Sequence, residues 1–189
     1  MKAHVTQPSS QPMKLPPSLL IVLPAALAAA PAHADDLFGG VFAHDVGIVA
    51  ANHVERGGDA ERGADVELGW RGPRILPALG GPRPHLFVSA NSGGNTHFAA
   101  AGLSWRFGGT VYVRPGVGIA VHTGPDHWTP TRIWLGAPLL FEPEIGVGVQ
   151  LNRRISVEAS LIHLSHGGIF GGQNPGLDTI GLRLNYRFR

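Results

Sequence analysis

The sequence contains no cysteine among its 189 residues. This absence excludes disulfide bonds, thiolate metal sites and a cysteine nucleophile. Charged residues are also scarce, at 15% of the chain, which is low for a soluble domain. The formal net charge of +2 is too close to balance to indicate a nucleic-acid partner, and we predict none. The chain is instead 43% hydrophobic, with 27 glycines and 16 prolines that indicate many turns.

The N-terminal segment has the layout of a secretory signal peptide. Lys14 precedes the apolar run Leu19–Ala30, and Ala32-His33-Ala34 places small residues at the two positions that a signal peptidase reads. The run is short for a membrane anchor, which needs about 20 apolar residues. We therefore expect residues 1–34 to be removed, and residues 35–189 to form one exported domain.

The remainder of the chain alternates between apolar and polar residues in eight segments, separated by glycine, proline and asparagine turns. A period of two residues is the pattern of β-strands, and helical periodicity is almost absent. In one segment, for example, Phe141 and Ile145 alternate with Glu142 and Glu144. The predicted strands are 37–47, 64–71, 85–92, 96–107, 110–122, 138–150, 154–165 and 177–188.

The polar faces of these segments carry glycines and charges of both signs, which suit the narrow interior of an eight-stranded barrel. The apolar faces would then contact lipid, and strands of about 9–13 residues match a tilted crossing. The pattern therefore predicts an all-β fold, an eight-stranded antiparallel up-and-down transmembrane β-barrel in the outer membrane. An even strand count places both termini in the periplasm. A soluble all-β fold is the alternative, but it would have to bury the charged faces at considerable cost.

The most informative segment is 155–165, whose odd positions form one apolar face that ends in His163 and Ser165. Strand parity places both residues at the cell-surface end of the seventh strand. Asp178 lies at the same end of the eighth strand and shares the outward parity of Ile180. These groups would meet at the border between hydrocarbon and lipid head groups.

A hairpin of the last two strands can bring these residues together. A register that pairs His163 with Asp178 keeps both apolar faces outward, whereas a slip of one residue would invert one face. Triad chemistry would make Ser165 the nucleophile, His163 the general base and acid, and Asp178 the group that orients the imidazole. Backbone N–H groups of Gly167 and Gly168 could form an oxyanion hole. From spacing alone, ordinary polar rim residues explain His163 and Ser165 equally well.

The same residues resemble a known family. The stretches His163-Leu164-Ser165-His166-Gly167-Gly168 and Gln173–Asp178, followed by Gly181–Phe188, are similar to the C-terminus of outer-membrane lipid A 3-O-deacylases of the PagL type. The resemblance implies a barrel with a His/Ser/acid triad on its outer surface, which removes a 3-hydroxyacyl chain from lipid A of lipopolysaccharide without a metal or cofactor. Asp178 matches an acid that is often Glu in the family, and His166 stands where the family usually has Asn.

Two other functions stay open on the sequence. The chain could be a non-enzymatic structural or adhesive barrel that binds partners through loops 48–63 and 123–137. A pore is the weaker option, because eight strands with a charged interior leave little room for water. His122, Asp126 and His127 are candidate metal ligands, but two histidines on a Pro/Gly loop are more often surface residues, so no metal site is predicted.

Two features have no explanation in the sequence. Segment 72–84 should be a short periplasmic turn in this topology, yet it is longer than such turns usually are. Whether the protein forms a homodimer is also left open by the sequence.

Overall fold

The computed structural model of the chain describes residues 36–49, 61–125, 127–169 and 174–188. The proposed signal peptide, residues 1–34, lies outside these ranges. No helix among the described residues is long and apolar enough to cross a bilayer.

The described residues form an antiparallel sheet of nine strands, eight of which close into a barrel. Hydrogen bonding follows the order β4-β3-β2-β1-β9-β8-β7-β6, and β6 pairs with β4 to complete the ring. The two-residue strand β5 only extends the start of β6. The strands are β1 Asp36–His44, β2 Ala64–Arg71, β3 Arg83–Asn91, β4 Phe98–Ser104, β5 Phe107–Gly108, β6 Val111–His122, β7 Leu139–Gln150, β8 Ile155–Leu164 and β9 Leu177–Arg187.

All eight predicted strands are present, and their bounds differ from the predicted ones by three residues or fewer. The largest differences lie at connections. β1 ends at His44 rather than at residue 47, because Asp45 takes a left-handed conformation with φ 51° that a strand does not continue through. The barrel has two distinct ends. The terminal end holds both chain ends and the connections 72–82, 105–110 and 151–154, and the loop end holds the other connections.

Most polar side chains of the strands point into the barrel and most apolar ones face outward, as predicted, but Phe38, Phe42 and Phe87 are buried inside against Arg183. Val66, Ile119, Val147 and Leu182 are each about half exposed or more. The charged residues between them on the same strands are buried. The buried set includes Glu67, Arg114, Glu142, Glu144, Glu158 and Arg183.

Two arginines hold the interior charges together. The Arg183 guanidinium donates to both Glu67 oxygens, at 2.5 and 2.8 Å, and to Glu144 Oε2 at 2.6 Å. Arg114 donates to Glu144 and to both oxygens of Glu158, with Nε 2.8 Å from Oε2. Bidentate pairing of this kind compensates the desolvation of each charge, and Glu67, Glu144 and Glu158 each have an arginine partner.

Interior glycines provide the space for this network. A Cβ atom on Gly146 would lie 2.6 Å from Glu158 Cδ, and one on Gly116 would lie 2.7 Å from Glu144 Cγ. Both carboxylates are fixed by arginine and cannot move aside easily. Gly116 and Gly146 are therefore required by the packing of charged side chains, not by backbone conformation.

Apolar residues close the loop end of the barrel. Ile133 and Leu135 of the connection between β6 and β7 are buried with Leu140, Ile162 and Leu164, which point inward from the strands. This packing disfavours the pore hypothesis, because a conducting channel needs a continuous aqueous path through the interior.

The long connection 72–84 is a hairpin extension rather than a simple turn. β3 begins at Arg83, Gly72 N donates to Pro84 O at 2.8 Å, and Ile75 N donates to Pro82 O at 2.8 Å. A single 3₁₀ turn at Pro77–Leu79 forms its tip. The extra length thus continues the β2–β3 pairing beyond the barrel.

We expect Arg183→Ala to destabilise the protein by about 3–5 kcal/mol, because it leaves Glu67 and Glu144 buried without their cation. Urea unfolding of the chain refolded in micelles, followed by tryptophan fluorescence, measures this change. Arg154→Ala removes an exposed arginine and should change the unfolding free energy by less than about 0.5 kcal/mol. Equal effects of the two substitutions would contradict the role given to the network.

Candidate functional site

The last hairpin has the register that the sequence predicted. β8 pairs with β9 so that His163 lies opposite Asp178, and Leu161 lies opposite Ile180. This register keeps the apolar faces of both strands outward. His163 and Asp178 therefore share the outer surface of the barrel at its loop end.

A short hydrogen bond joins these two side chains. His163 Nδ1 lies 2.6 Å from Asp178 Oδ1, the carboxylate is shielded from solvent, and the imidazole is 16% exposed. A carboxylate accepts, so Nδ1 carries a proton in this bond. In the neutral form of the ring, Nε2 then keeps its lone pair and can take up a proton.

Ser165 lies two residues beyond His163 on the same outward parity. Its backbone is fixed by two hydrogen bonds with Phe141, at 2.7 and 3.2 Å, and its side chain is half-buried. No hydrogen bond joins the Ser165 hydroxyl to the His163 ring among the described residues. The structure therefore brings His163 and Asp178 into contact and places Ser165 nearby on the same face. Catalytic hydrogen bonds are often long in enzymes without substrate.

The segment that follows β1, residues 45–49, covers the Asp178 carboxylate. Val49 N donates to Asp178 Oδ2 at 2.5 Å, and Val46 N donates to the Asp178 backbone carbonyl at 3.0 Å. Each oxygen of the carboxylate thus has its own donor. Asp178 has the outward parity that the sequence predicted, but this segment buries it, and the sequence analysis did not anticipate this contact.

Segment 45–49 can turn back onto β9 because Asp45 and Gly47 adopt left-handed φ values of 51° and 61°. Glycine takes this conformation without strain, and Asp tolerates it better than most residues. An Asp-x-Gly sequence after a strand predicts a turn. It carries no signal for which neighbouring side chain the turn will contact.

Glu61 anchors this segment to the rest of the loop end. Its backbone N–H donates to Asp45 at 2.9 Å, and its carboxylate accepts from His44 Nε2 at 3.0 Å and Thr96 N at 2.8 Å. Arg132 Nε, 3.1 Å away, adds a cation from the connection between β6 and β7. Burial alone would raise the pKa of Glu61, but these hydrogen bonds outweigh it and hold the pKa at about 2.

Gly167 and Gly168 form an exposed turn directly after Ser165. Both are left-handed, with φ 60° and 74°, and their N–H groups have no acceptor within the described ranges. His166 lies between Ser165 and this turn and is buried. Its backbone N–H donates to Asn174 Oδ1 at 3.0 Å, which ties the two sides of the final connection together.

Exposed apolar side chains surround the cluster. Phe141 lies beside Ser165 and is 41% exposed, Ile180 is 41% exposed, and Ile169 of the glycine turn is 67% exposed. The polar residues His163, Ser165 and Asp178 are thus surrounded by an apolar surface suited to acyl chains. A substrate with a long hydrocarbon part fits this setting better than a soluble one.

The candidate metal ligands and the candidate binding loop 48–63 do not form a comparable cluster among the described residues. Both ring nitrogens of His122 are occupied, by Ala137 O at 2.8 Å and Gly124 N at 3.0 Å. Asp126 and most of loop 48–63, from residue 50 to 60, lie outside the described residues.

One group inside the barrel has metal-ligand chemistry. Ligand atoms of His85, Glu142 and Glu144 lie within 4.8 Å of one another. Arg114 and Arg183 already donate to the Glu144 oxygens. We interpret this group as part of the interior network, with guanidinium groups in the place that a cation would take.

Comparisons with known proteins agree with this geometry. A family model described as lipid A 3-O-deacylase (PagL) matches residues 64–187. The fold is similar to the crystal structure of the outer membrane enzyme PagL, with a TM-score of 0.57 and 20% identity over 80% of this chain and 98% of that one. It is also similar to the crystal structure of Neisserial surface protein A, with a TM-score of 0.53 and 10% identity over 81% and 96% of the two chains. No curated protein sequence matches the chain significantly.

The low pKa of Glu61 predicts a stability that rises with pH. Because its pKa is lowered from 4.5 to about 2, its contribution is complete above pH 4.5 and is lost as the pH falls through 2. Wild type should exceed Glu61→Gln in unfolding free energy by up to about 3 kcal/mol at pH 6, a difference that vanishes near pH 2. Urea unfolding at several pH values tests this. A difference that does not depend on pH would contradict it.

Proposed function

Because the chain belongs to the lipid A 3-O-deacylase (PagL) family, we propose that it hydrolyses the ester of the 3-hydroxyacyl chain at position 3 of lipid A. The observation that carries this proposal is the bonded pair of His163 and Asp178 on the outer face of the barrel, with Ser165 beside it. This face would meet lipopolysaccharide in the outer leaflet. No metal or cofactor enters the proposed reaction.

Ser165 is the proposed nucleophile. Its Oγ attacks the ester carbonyl carbon while His163 Nε2 takes the hydroxyl proton, and Asp178 stabilises the imidazolium that forms. The hydrogen bond from Nδ1 to Asp178 supports this assignment, because it fixes the tautomer in which Nε2 is the base. A rotation of the Ser165 side chain toward the ring is proposed to complete the triad.

The tetrahedral intermediate then collapses to products. The bond to the sugar oxygen breaks, His163 returns its proton to that oxygen, and the acyl chain stays on Ser165. Water attacks the acyl-enzyme, again with His163 as base, and releases the free hydroxy acid. The N–H groups of Gly167 and Gly168, which bond no acceptor among the described residues, support an oxyanion hole at this turn.

Val49 is the proposed positioning residue for the acid. Its N–H fixes the second carboxylate oxygen and thereby orients the first toward His163. The Asp side chain is shorter than that of Glu. The Val49 N–H, which belongs to the loop end, holds this shorter side chain in position beside His163. The sequence 1–34 is proposed to export the chain, and residues 35–189 to form the membrane domain.

The second candidate is a non-enzymatic surface barrel. The similarity of the fold to that of Neisserial surface protein A supports this alternative, because one architecture can carry unrelated functions. What favours an enzyme is the outward-facing pair of imidazole and buried carboxylate, which a purely structural barrel does not need.

We expect expression of the chain in a host outer membrane to remove one hydroxyacyl chain from lipid A, seen as a mass loss. Ser165→Ala should lower the rate by at least about 10³-fold, because the nucleophile is gone. Ser160→Ala, a buried serine inside the barrel, is the matched control and should leave the product unchanged. An unchanged mass with the wild type, or the same mass loss with Ser165→Ala, would refute the assignment.

The roles of Val49 and Asp178 predict an unusual double mutant. In Asp178→Asn, the Val49 N–H should hold the amide oxygen and turn the NH₂ group toward His163, which imposes the wrong tautomer and lowers the rate by about 10⁴-fold. Val49→Pro removes that N–H and so weakens the hold on the amide oxygen. Val49→Pro alone should lower the rate about tenfold, yet it should raise the rate of Asp178→Asn.

The control for this experiment is Ile48→Pro, which places the same ring one residue away from the contact. Folding of each variant is checked by its heat-dependent mobility in gels. If Val49→Pro lowers the rate by the same factor in both backgrounds, the N–H does not orient residue 178.

A further inference from the structure

The terminal end of the barrel carries a large excess of positive charge. Asp36 is the only carboxylate among the described residues of this end, and it is shared by Arg83, Arg187 and, at 4.0 Å, Arg71. A second set of arginines has no carboxylate within ion-pair distance in the described ranges. This set is Arg74, Arg106, Arg153 and Arg154.

Three arginines of this second set, Arg74, Arg106 and Arg153, line one open cavity of about 560 Å³ together with Arg187. No carboxylate of the described residues lines the cavity, although Arg187 also contacts Asp36 at 3.3 Å. The Arg106 guanidinium is held in place by the Tyr112 ring, 3.6 Å from its centroid, and by Gly109 O at 3.0 Å. Guanidinium groups that outnumber the nearby acids in this way form a binding site for an anion with several oxygens, such as a phosphate group.

The desolvation of Arg106 supports this interpretation. Burial is the largest cause that lowers the pKa of its guanidinium. A bound phosphate would compensate this desolvated charge.

The surroundings of the cavity identify the source of the phosphate. Its lining residues Gly108 and Gln150 adjoin the outward side chains of Phe107 and Leu151, each 61% exposed, at the edge of the lipid-facing surface. An acyl chain attached to a phosphate in the cavity can run along that surface. A soluble phosphate compound would gain nothing from these side chains.

The hairpin extension 72–84 gives a second, independent reason. Its tip exposes Ile75, Leu76 and Leu79 directly after Arg74, and Trp105 Nε1 donates to Leu79 O at 2.8 Å to hold the tip against the barrel. An arginine followed by exposed apolar residues matches a membrane interface, where charges meet head groups and apolar groups enter the acyl boundary.

We propose that this arginine-lined cavity binds the head group of an anionic phospholipid of the inner leaflet, with the tip of segment 72–84 inserted beside it. The site lies at the opposite end of the barrel from His163 and does not depend on the proposed catalysis. It explains the length of a connection for which the sequence offered no reason.

The test measures lipid retention by the folded chain in non-ionic micelles, using native mass spectrometry with phosphatidylglycerol and phosphatidylcholine of equal chain length. Wild type should retain phosphatidylglycerol preferentially. The triple variant Arg74→Gln, Arg106→Gln, Arg153→Gln should lose affinity by about fivefold per charge removed. Arg62→Gln, an exposed arginine at the loop end, is the matched control and should bind as wild type does.

A double variant and a competition with pyrophosphate complete the experiment. The double variant Arg74→Gln, Arg153→Gln keeps the packing of Arg106 on Tyr112 and should still lose phosphatidylglycerol if the triple variant does not fold. Inorganic pyrophosphate should compete only weakly. Equal retention of the two lipids, unchanged retention by the double variant, or pyrophosphate binding as tight as lipid binding would each overturn the proposal.

Discussion

The pairing of Arg114 and Arg183 with three buried glutamates is the interaction on which the rest of the molecule depends. Charges of both signs can occupy a narrow barrel only when each is paired and hydrogen-bonded. When the charged residues point into the barrel, the residues that alternate with them on each strand face outward, and most of these are apolar. The interior network therefore decides which residues meet lipid, and it places His163 and Ser165 on the outside.

With polar residues inside and apolar residues outside, the residues that stabilise the fold differ from those proposed to carry the function. A barrel of the same architecture occurs in a surface protein and in an outer membrane enzyme, at 10% and 20% identity to this chain. The charged network lies in the lumen, and the residues that we propose as catalytic occupy a few outward positions at one rim. Such a division lets the rim change without disturbing the core, so the fold alone cannot identify the activity.

Much of this organisation could be predicted from the sequence. Strand positions, the inside-out pattern and the register of His163 with Asp178 all follow from a strict period of two, because one slipped residue would expose charges to lipid. The contact of Val49 with Asp178 could not be predicted, since 129 residues separate the two and a backbone N–H has no sequence signature. The same limit applies to Glu61, whose partners come from three different connections. The conformation of Ser165 relative to His163 depends on a side-chain torsion that no sequence pattern specifies.

The cover over Asp178 has a consequence for the timing of activity. The donor to its carboxylate comes from the segment after the first strand, whereas the acid begins the last strand, so the two meet only after β1 has paired with β9. Before the barrel closes, Asp178 lacks the hydrogen bond from Val49. If Asp178 is the catalytic acid that we propose, closure of the barrel also completes the support of that acid.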